Sequence, residues 1–218
     1  MVKLIKTYGG LMKKQLKKST KRFTLESPFA RSLNLNGKRM LIRPANPSDS
    51  LNLYRMHTRL SRQTLYYRYM MPHKPGMQEM EMICGAAEFN GAAFVAQLCT
   101  SDRPIVGYAY YQAAHGDSRN RAELAVVVED RFQGCGIGKA LMYHVCQYAA
   151  GRGFRTLLAT IHPLNNRMIG LVKGLFNSIE EQHYGDVIEM KLHMGSTATT
   201  RKPQSRSSDA FAGLDLGL

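Results

Sequence analysis

From Arg131 to Ile179 the sequence contains no aspartate or glutamate, although six arginines and lysines fall in that stretch. A dinucleotide-binding unit needs an acid for the ribose about twenty residues after its glycine loop, and none stands there. Also missing is any apolar run approaching the ~18 residues of a membrane span, which excludes a transmembrane helix. No C-x-x-C pair occurs, and none of Cys84, Cys99, Cys135 and Cys146 has a histidine partner at zinc spacing. No secretory signal pattern precedes them, so four free thiols in a reducing, cytoplasmic protein without a metal are expected.

What is present is 218 residues, 44% hydrophobic and 21% charged. That suits one soluble domain with additional ends. The net charge of +14 points toward an anionic partner until it is located. Residues 1–43 hold twelve Lys/Arg against the single acid Glu26, whereas residues 44–194 hold fifteen against thirteen acids. The basicity therefore belongs to an N-terminal arm, placed at 1–36, helical or flexible. Its Leu4, Ile5, Leu11, Met12 and Leu16 interleave with Lys13-Lys14 and Lys17-Lys18. Such a segment suits an anionic membrane surface, a nucleic acid, a transit peptide (though these favour Arg) or plain solvent. Residues 195–218, rich in Ser, Thr, Ala and Gly, are expected to be a disordered tail.

Between these ends, residues 37–194 switch period repeatedly. "RMLIRPA" has the look of a strand, and Pro47-Ser48-Asp49 opens a helix. "SRQTLYYRYM" and "GMQEMEMICGAA" suggest further short helices, and "AAFVAQLCT" and "IVGYAYYQAA" a hairpin across "SDRP". "RAELAVVVED" and "RTLLATI" are apolar enough for buried strands, each followed by a helical pattern, and "DVIEMKLHM" alternates as a last strand. "SIEEQHY" is a further candidate strand. The pattern predicts an α/β domain, a mixed sheet with helices on its faces.

The segment "EDRFQGCGIGKALMYHVCQYAAGRG" carries the strongest signal, a strand running through three glycines into a helix. There the free N–H groups and the positive helix end attract phosphate oxygens. A triphosphate loop would need Gly at 133 and Ser or Thr at 140, where Gln133 and Ala140 stand. A dinucleotide loop needs G-x-G-x-x-G, whereas Gly134, Gly136 and Gly138 run G-x-G-x-G. What fits is [RQ]-x-x-G-x-[GA], filled by Arg131-Phe132-Gln133-Gly134-Cys135-Gly136 and extended by Gly138.

With these residues, and with "RTLLATI" and "NNRM" following in order, residues 39–194 resemble the GNAT superfamily of acyl-CoA-dependent N-acetyltransferases. The "IRP" strand, the "LS…YRY"-like segment and the acid in "AELAVVV" are most similar to the acetyltransferase domain of bacterial protein-lysine acetyltransferases. The resemblance implies a central, mostly antiparallel sheet of six to seven strands flanked by helices. It implies acetyl-CoA as the acyl donor, with no metal. It places the coenzyme A pyrophosphate on the backbone of Arg131, Gln133, Gly134, Cys135, Gly136, Ile137, Gly138 and Lys139. It assigns the N–H of Val127 or Val128 to the thioester carbonyl, and Asn166 and Met168 to the pantetheine side.

A lysine amine has a reference pKa of about 10.4 and needs a base at neutral pH. Glu123 is the candidate: a carboxylate in an apolar strand is costly unless used, and burial would raise its pKa. The plainer alternative is a solvated acid paired with Arg119 or Arg121. Asn165 or Asn166 equally suits a helix N-cap. Cys135 is expected to be a bystander. Val172 stands where many relatives have the tyrosine that protonates the leaving thiolate, and "LFN" replaces the family's "LGF". The expected activity is acetyl or short acyl transfer to a primary amine, with a protein lysine as first choice. A small-molecule amine acetyltransferase, or a non-catalytic acyl-CoA sensor with a basic arm, are the alternatives.

Overall fold

Alternation along the strands decides the architecture. In the computed structural model, which describes residues 31–35, 38–113 and 120–194, eight strands form one sheet. They are β1 (Arg31–Leu35), β2 (Lys38–Pro44), β3 (Gly91–Leu98), β4 (Ile105–Ala113), β5 (Arg121–Val128), β6 (Thr156–Ile161), β7 (Ile179–Tyr184) and β8 (Val187–His193). Their order is β1-β2-β3-β4-β5-β6-β8-β7, and every neighbouring pair is antiparallel except β5 and β6. A parallel pair needs a crossover, which helix α4 (Ile137–Gly151) provides.

The α/β class agrees with expectation, but the sheet has one strand more than the six to seven expected. The addition is β1, whose residues fall inside the stretch assigned to the basic arm; it pairs with β2 from Arg31↔Ile42 to Leu35↔Lys38. The remainder of the arm and the expected disordered tail lie outside the described residues.

Each face of the sheet buries its own core. On one face Met40, Ile42, Phe94, Leu124, Leu157, Ile161 and Met190 pack beneath α4 and α5 (Asn166–Leu175). α4 presents Ile137, Leu141, Met142, Val145, Cys146 and Ala149, an apolar stripe of helical period. On the other face Val95, Ile105, Tyr108 and Val127 meet α1 (Ser50–His57), α2 (Arg62–Tyr69) and α3 (Met77–Cys84). Arg43 pins the start of α1 to β2 through a two-pronged bond with Asp49, both distances 2.7 Å. α2 differs from its neighbours in having no buried residue. Among the described residues no helix is long and apolar enough to cross a membrane.

Candidate active site

Strand β5 is paired unequally on its two edges. Toward β4 the ladder is continuous from Ala122↔Ala113 to Val128↔Gly107. Toward β6 it holds only Arg121↔Thr156, Ala122↔Leu157 and Glu123↔Leu158. Beyond Leu158, β6 stays with β8 as far as Ile161↔Ile188, so β5 and β6 separate into a V-shaped seam. Glu123 sits at its vertex.

The ladder also aims the backbone. Glu129 N–H donates to Val106 O at 2.9 Å, which sets the alternation: the amides of Glu123, Ala125 and Val127 point to β4. Those of Leu124, Val126 and Val128 point into the seam. Of the two expected thioester donors, Val128 is therefore suitably turned, whereas the N–H of Val127 is spent in the ladder. Val126 presents a second amide to the seam.

Side chains alternate in step. Leu124, Val126 and Val128 pack toward α4, so Glu123 lies on the opposite face with Ala125 and Val127. It is half-buried, and among the described residues its carboxylate makes no hydrogen bond or ion pair. Of the ion pairs weighed against it, the one with Arg121 is not formed, and Arg119 lies outside the described residues.

The glycine loop closes the open end of the seam. Gly134 and Gly136 adopt φ of 77° and 85°, left-handed values that disfavour any side chain. Gly136 is the N-cap of α4, and no side chain caps the helix. Ala140 N–H is the first to find its carbonyl, that of Gly136, at 3.0 Å. The preceding helix amides therefore face outward with the positive end of the dipole, a cradle for phosphate oxygens. A Cβ at Gly138 would stand 3.3 Å from Leu171 Cδ2, so a side chain there would push Leu171 back by a few tenths of an ångström.

Two acids behind the loop hold it in shape. Glu129, 3% exposed, receives Arg59 and the 2.5 Å Nε contact of Arg131. Asp130 accepts from Ser61 N–H (2.9 Å), Ser61 Oγ (2.6 Å) and Thr64 Oγ1 (2.7 Å). Partial burial opposes the Asp130 charge, but the Ser61 and Thr64 bonds outweigh it and hold the carboxyl below its ordinary range. Gln133 braces three elements, donating to Val128 O (3.0 Å) and Thr64 Oγ1 (3.2 Å) and accepting from Arg167 (2.9 Å).

Residues 53–175 match the acetyltransferase (GNAT) family. The chain belongs to that family. As a GNAT acetyltransferase it is an acetyl-CoA-dependent N-acyltransferase. An acetyltransferase of Pseudomonas aeruginosa, PA5475, is 28% identical over 136 residues, covering 61% of this chain and 72% of the relative. Among solved structures, the GNAT domain of S. lividans PAT superposes with a TM-score of 0.67 at 21% identity, covering 77% of this chain and 98% of that one. YncA from Salmonella typhimurium, solved with acetyl-CoA, gives 0.57 at 20% identity over 71% of this chain and 93% of that one.

Within this GNAT domain the expected site residues take different roles. The outward amides at the start of α4, residues 137–139, fit a pyrophosphate, and the Ile137 side chain is core. Gln133 has both its N–H, bonded to Asp130 O at 3.1 Å, and its side chain engaged within the protein. The Arg131 side chain is tied to Glu129 and stacked over Phe132. Half-buried Cys135 directs its thiol to Gln133 O. Asn165, not Asn166, caps α5, accepting Met168 N–H at 3.1 Å. That leaves the exposed Asn166 amide without a partner among the described residues. Met168 packs half-buried against the core. Val172 is fully buried and apolar, so it holds no proton to give. In "LFN", Phe176 turns into the core.

The sequence reading missed how α2 spans the seam. The helix starts on Asp130, and its Tyr66 and Tyr67 rings reach His162 at 5.3 and 5.4 Å. Tyr67 OH donates to Leu164 O at 3.3 Å. A polar network underlies it: Tyr108 OH lies 3.2 Å from His57 Nε2 and 3.3 Å from Arg68 Nε. Burial pulls the His57 imidazole down to about 4, so it is neutral. With Nδ1–H given to Leu53 O at 2.9 Å, Nε2 accepts from the Tyr108 hydroxyl. The "ED" pair after an apolar strand and the N-cap "S-x-x-T" were visible signals; their pairing was not.

Proposed function

We propose that this GNAT enzyme acetylates the side-chain amine of protein lysines. The observation that carries the reading is Glu123: a carboxylate without a partner among the described residues, at the vertex of the splayed seam, on the face that α1–α3 leave uncovered from β6 onward. The likeness of "IRP", "LS…YRY" and "AELAVVV" to protein-lysine acetyltransferase domains supports the same acceptor.

Acetyl-CoA, when bound, supplies the thioester carbonyl that the amine attacks. The α4 amides and the backbone of the Gly134–Gly138 loop hold its pyrophosphate, and Asn166 and Met168 lie toward the pantetheine arm. The Val128 N–H, with that of Val126, stabilises charge developing on the carbonyl oxygen. Glu123 takes the proton of the incoming ammonium, directly or through a water. With Val172 unable to donate, the thiol's ordinary acidity makes it a fair leaving group without a dedicated acid.

An acceptor screen tests this: coenzyme A release is followed with a lysine peptide, a polyamine and an aminoglycoside. The lysine peptide is expected to be the best substrate by kcat/KM. Preference for a small amine would replace the acceptor class. Tight acetyl-CoA binding with no release for any amine would replace the enzyme by a sensor.

A further inference from the structure

The sheet face that carries Glu123 continues across β6, β8 and β7. Leu157, Ala159 and Ile161 of β6 are in the core under α4 and α5, so Leu158 and Thr160 face the other way. Register extends the row: Leu158 stands opposite Lys191, and Thr160 opposite Glu189. Lys191 in turn stands opposite Glu180, and Glu189 opposite Gln182. Thr160, Glu180 and Gln182 are exposed. Glu180 receives His193 at 2.8 Å and Lys191 at 3.4 Å. Glu189 makes no hydrogen bond or ion pair among the described residues. On this face Glu123, Glu189 and Glu180 stand against Arg121 and Lys191, with His193 bonded to Glu180, so the acids exceed the fixed bases by one beside the catalytic vertex.

The most basic segment of the same chain is attached within reach. Residues 1–30 contain seven lysines and Arg22 against Glu26. They join the sheet at Arg31, and the register fixes where. Arg31 lies in one row with Ile42, Ala96, Gly107 and Val128. That is the row where β5 ends and the seam is open. Four strand spacings separate β1 from β5, about 19 Å, and Glu123 lies about 17 Å down β5, so roughly 26 Å in the plane of the sheet separate the attachment from the base, and a chain skirting α1–α3 on that face travels further. The ten residues from Lys21 to Arg31 span up to about 33 Å when extended, and the eighteen from Lys13 up to about 60 Å.

We propose that this open acidic face is the acceptor-docking surface, and that the arm of the same chain docks there, presenting Lys13, Lys14, Lys17, Lys18 and Lys21 for acetylation. The inference rests on lysine transfer as the activity. In each transfer the lysine nitrogen forms a C–N bond to the acetyl carbonyl carbon as the C–S bond breaks. One ammonium proton passes to Glu123 before attack, and the nitrogen gives up a second to solvent once the C–N bond has formed. The sulfur leaves with the electron pair as thiolate and takes up one proton, and the other is released. Each acetyl group removes one positive charge, so labelling weakens the arm's hold and opens the face to other lysines. Tethering holds the arm at an effective concentration in the millimolar range, which makes it a strong competitor.

The test incubates the full chain with acetyl-CoA alone and maps the label by intact-mass and peptide mass spectrometry. The Glu123→Gln chain serves as the correction for spontaneous labelling. The expected label lies within residues 13–21, at a rate per chain unchanged by about tenfold dilution. Glu180→Lys with Glu189→Lys slows arm labelling at least about tenfold. Replacing the five lysines by arginine abolishes the label. Label spread over the folded domain, or a rate that falls with dilution, overturns docking of the chain's own arm. Coenzyme A release with an added lysine peptide while the arm stays unlabelled overturns the self-acetylation and leaves lysine transfer standing. No release with any amine overturns both.

Discussion

The two edges of β5 have nearly the same sequence to work with and opposite outcomes. Toward β4, seven consecutive register pairs run from Ala122 to Val128, and behind them Tyr108 joins His57 and Arg68 in a satisfied polar network. Toward β6, pairing stops after three residues, at Glu123. The first edge spends every polar group on the fold. Among the described residues the second leaves unspent the amides of Val126 and Val128, the carboxylate of Glu123 and the first turn of α4. Those groups are the ones proposed to carry acyl transfer, and they are available because β6 no longer pairs with β5 beyond Leu158. Stability and chemistry thus divide along a single strand.

If that division holds, substitutions on the open edge change turnover and those on the closed edge change stability. Glu123→Gln is expected to lower kcat at least about a hundredfold, near 2.7 kcal/mol in the barrier. Its acetyl-CoA affinity and melting temperature should be unaltered; an unchanged kcat would remove Glu123 as the base. On the closed edge His57 provides the contrast. Its imidazole titrates near 4 when folded and near 6.5 when unfolded, so the unfolded chain binds the extra proton between those values. The contribution is therefore complete above about pH 6.5 and is lost as pH falls toward 4, up to about 3 kcal/mol. Denaturant titrations across that range should show the loss in wild type and a flatter slope in His57→Gln. Tyr108→Phe, which strips the hydroxyl from His57 Nε2 and Arg68 Nε, is expected to cost about 1–3 kcal/mol of stability. Its KM for acetyl-CoA should stay at the wild-type value; a large rise would mean the two edges are not independent. The smallest effect belongs to Asp130→Asn, which weakens the Ser61 and Thr64 bonds. About 1 kcal/mol of loop ordering predicts a rise of roughly fivefold in KM for acetyl-CoA, measurable by initial rates.

Much of the fold was legible because it rests on local period. The alternation of "DVIEMKLHM" and the helical stripe from Ile137 to Ala149 appear as expected. β1 was hidden because the alternation of Ser32-Leu33-Asn34-Leu35 is too short, next to a lysine-rich stretch, to mark a strand; only pairing with β2 makes it one. The cap of α5 was ambiguous between adjacent asparagines, since either side chain can reach an N3 amide until the backbone entry angle is fixed. The Val127–Val128 choice had the same origin, because which amide faces the seam depends on the register with β4, a non-local quantity.

By itself the sequence determined the α/β class, the glycine loop at a helix start, and Glu123 as the candidate base upstream of it. These follow from residue spacing along one chain, where glycine's freedom at positive φ and the period of a strand or helix act locally. The tertiary structure decided that β6 leaves β5 at Glu123, that Val126 and Val128 aim their amides into the opening, and that α2 bridges it from Asp130 to His162. Each of those depends on which segments lie side by side. That choice is made by burying two apolar faces at once, and neither face is written in any one segment.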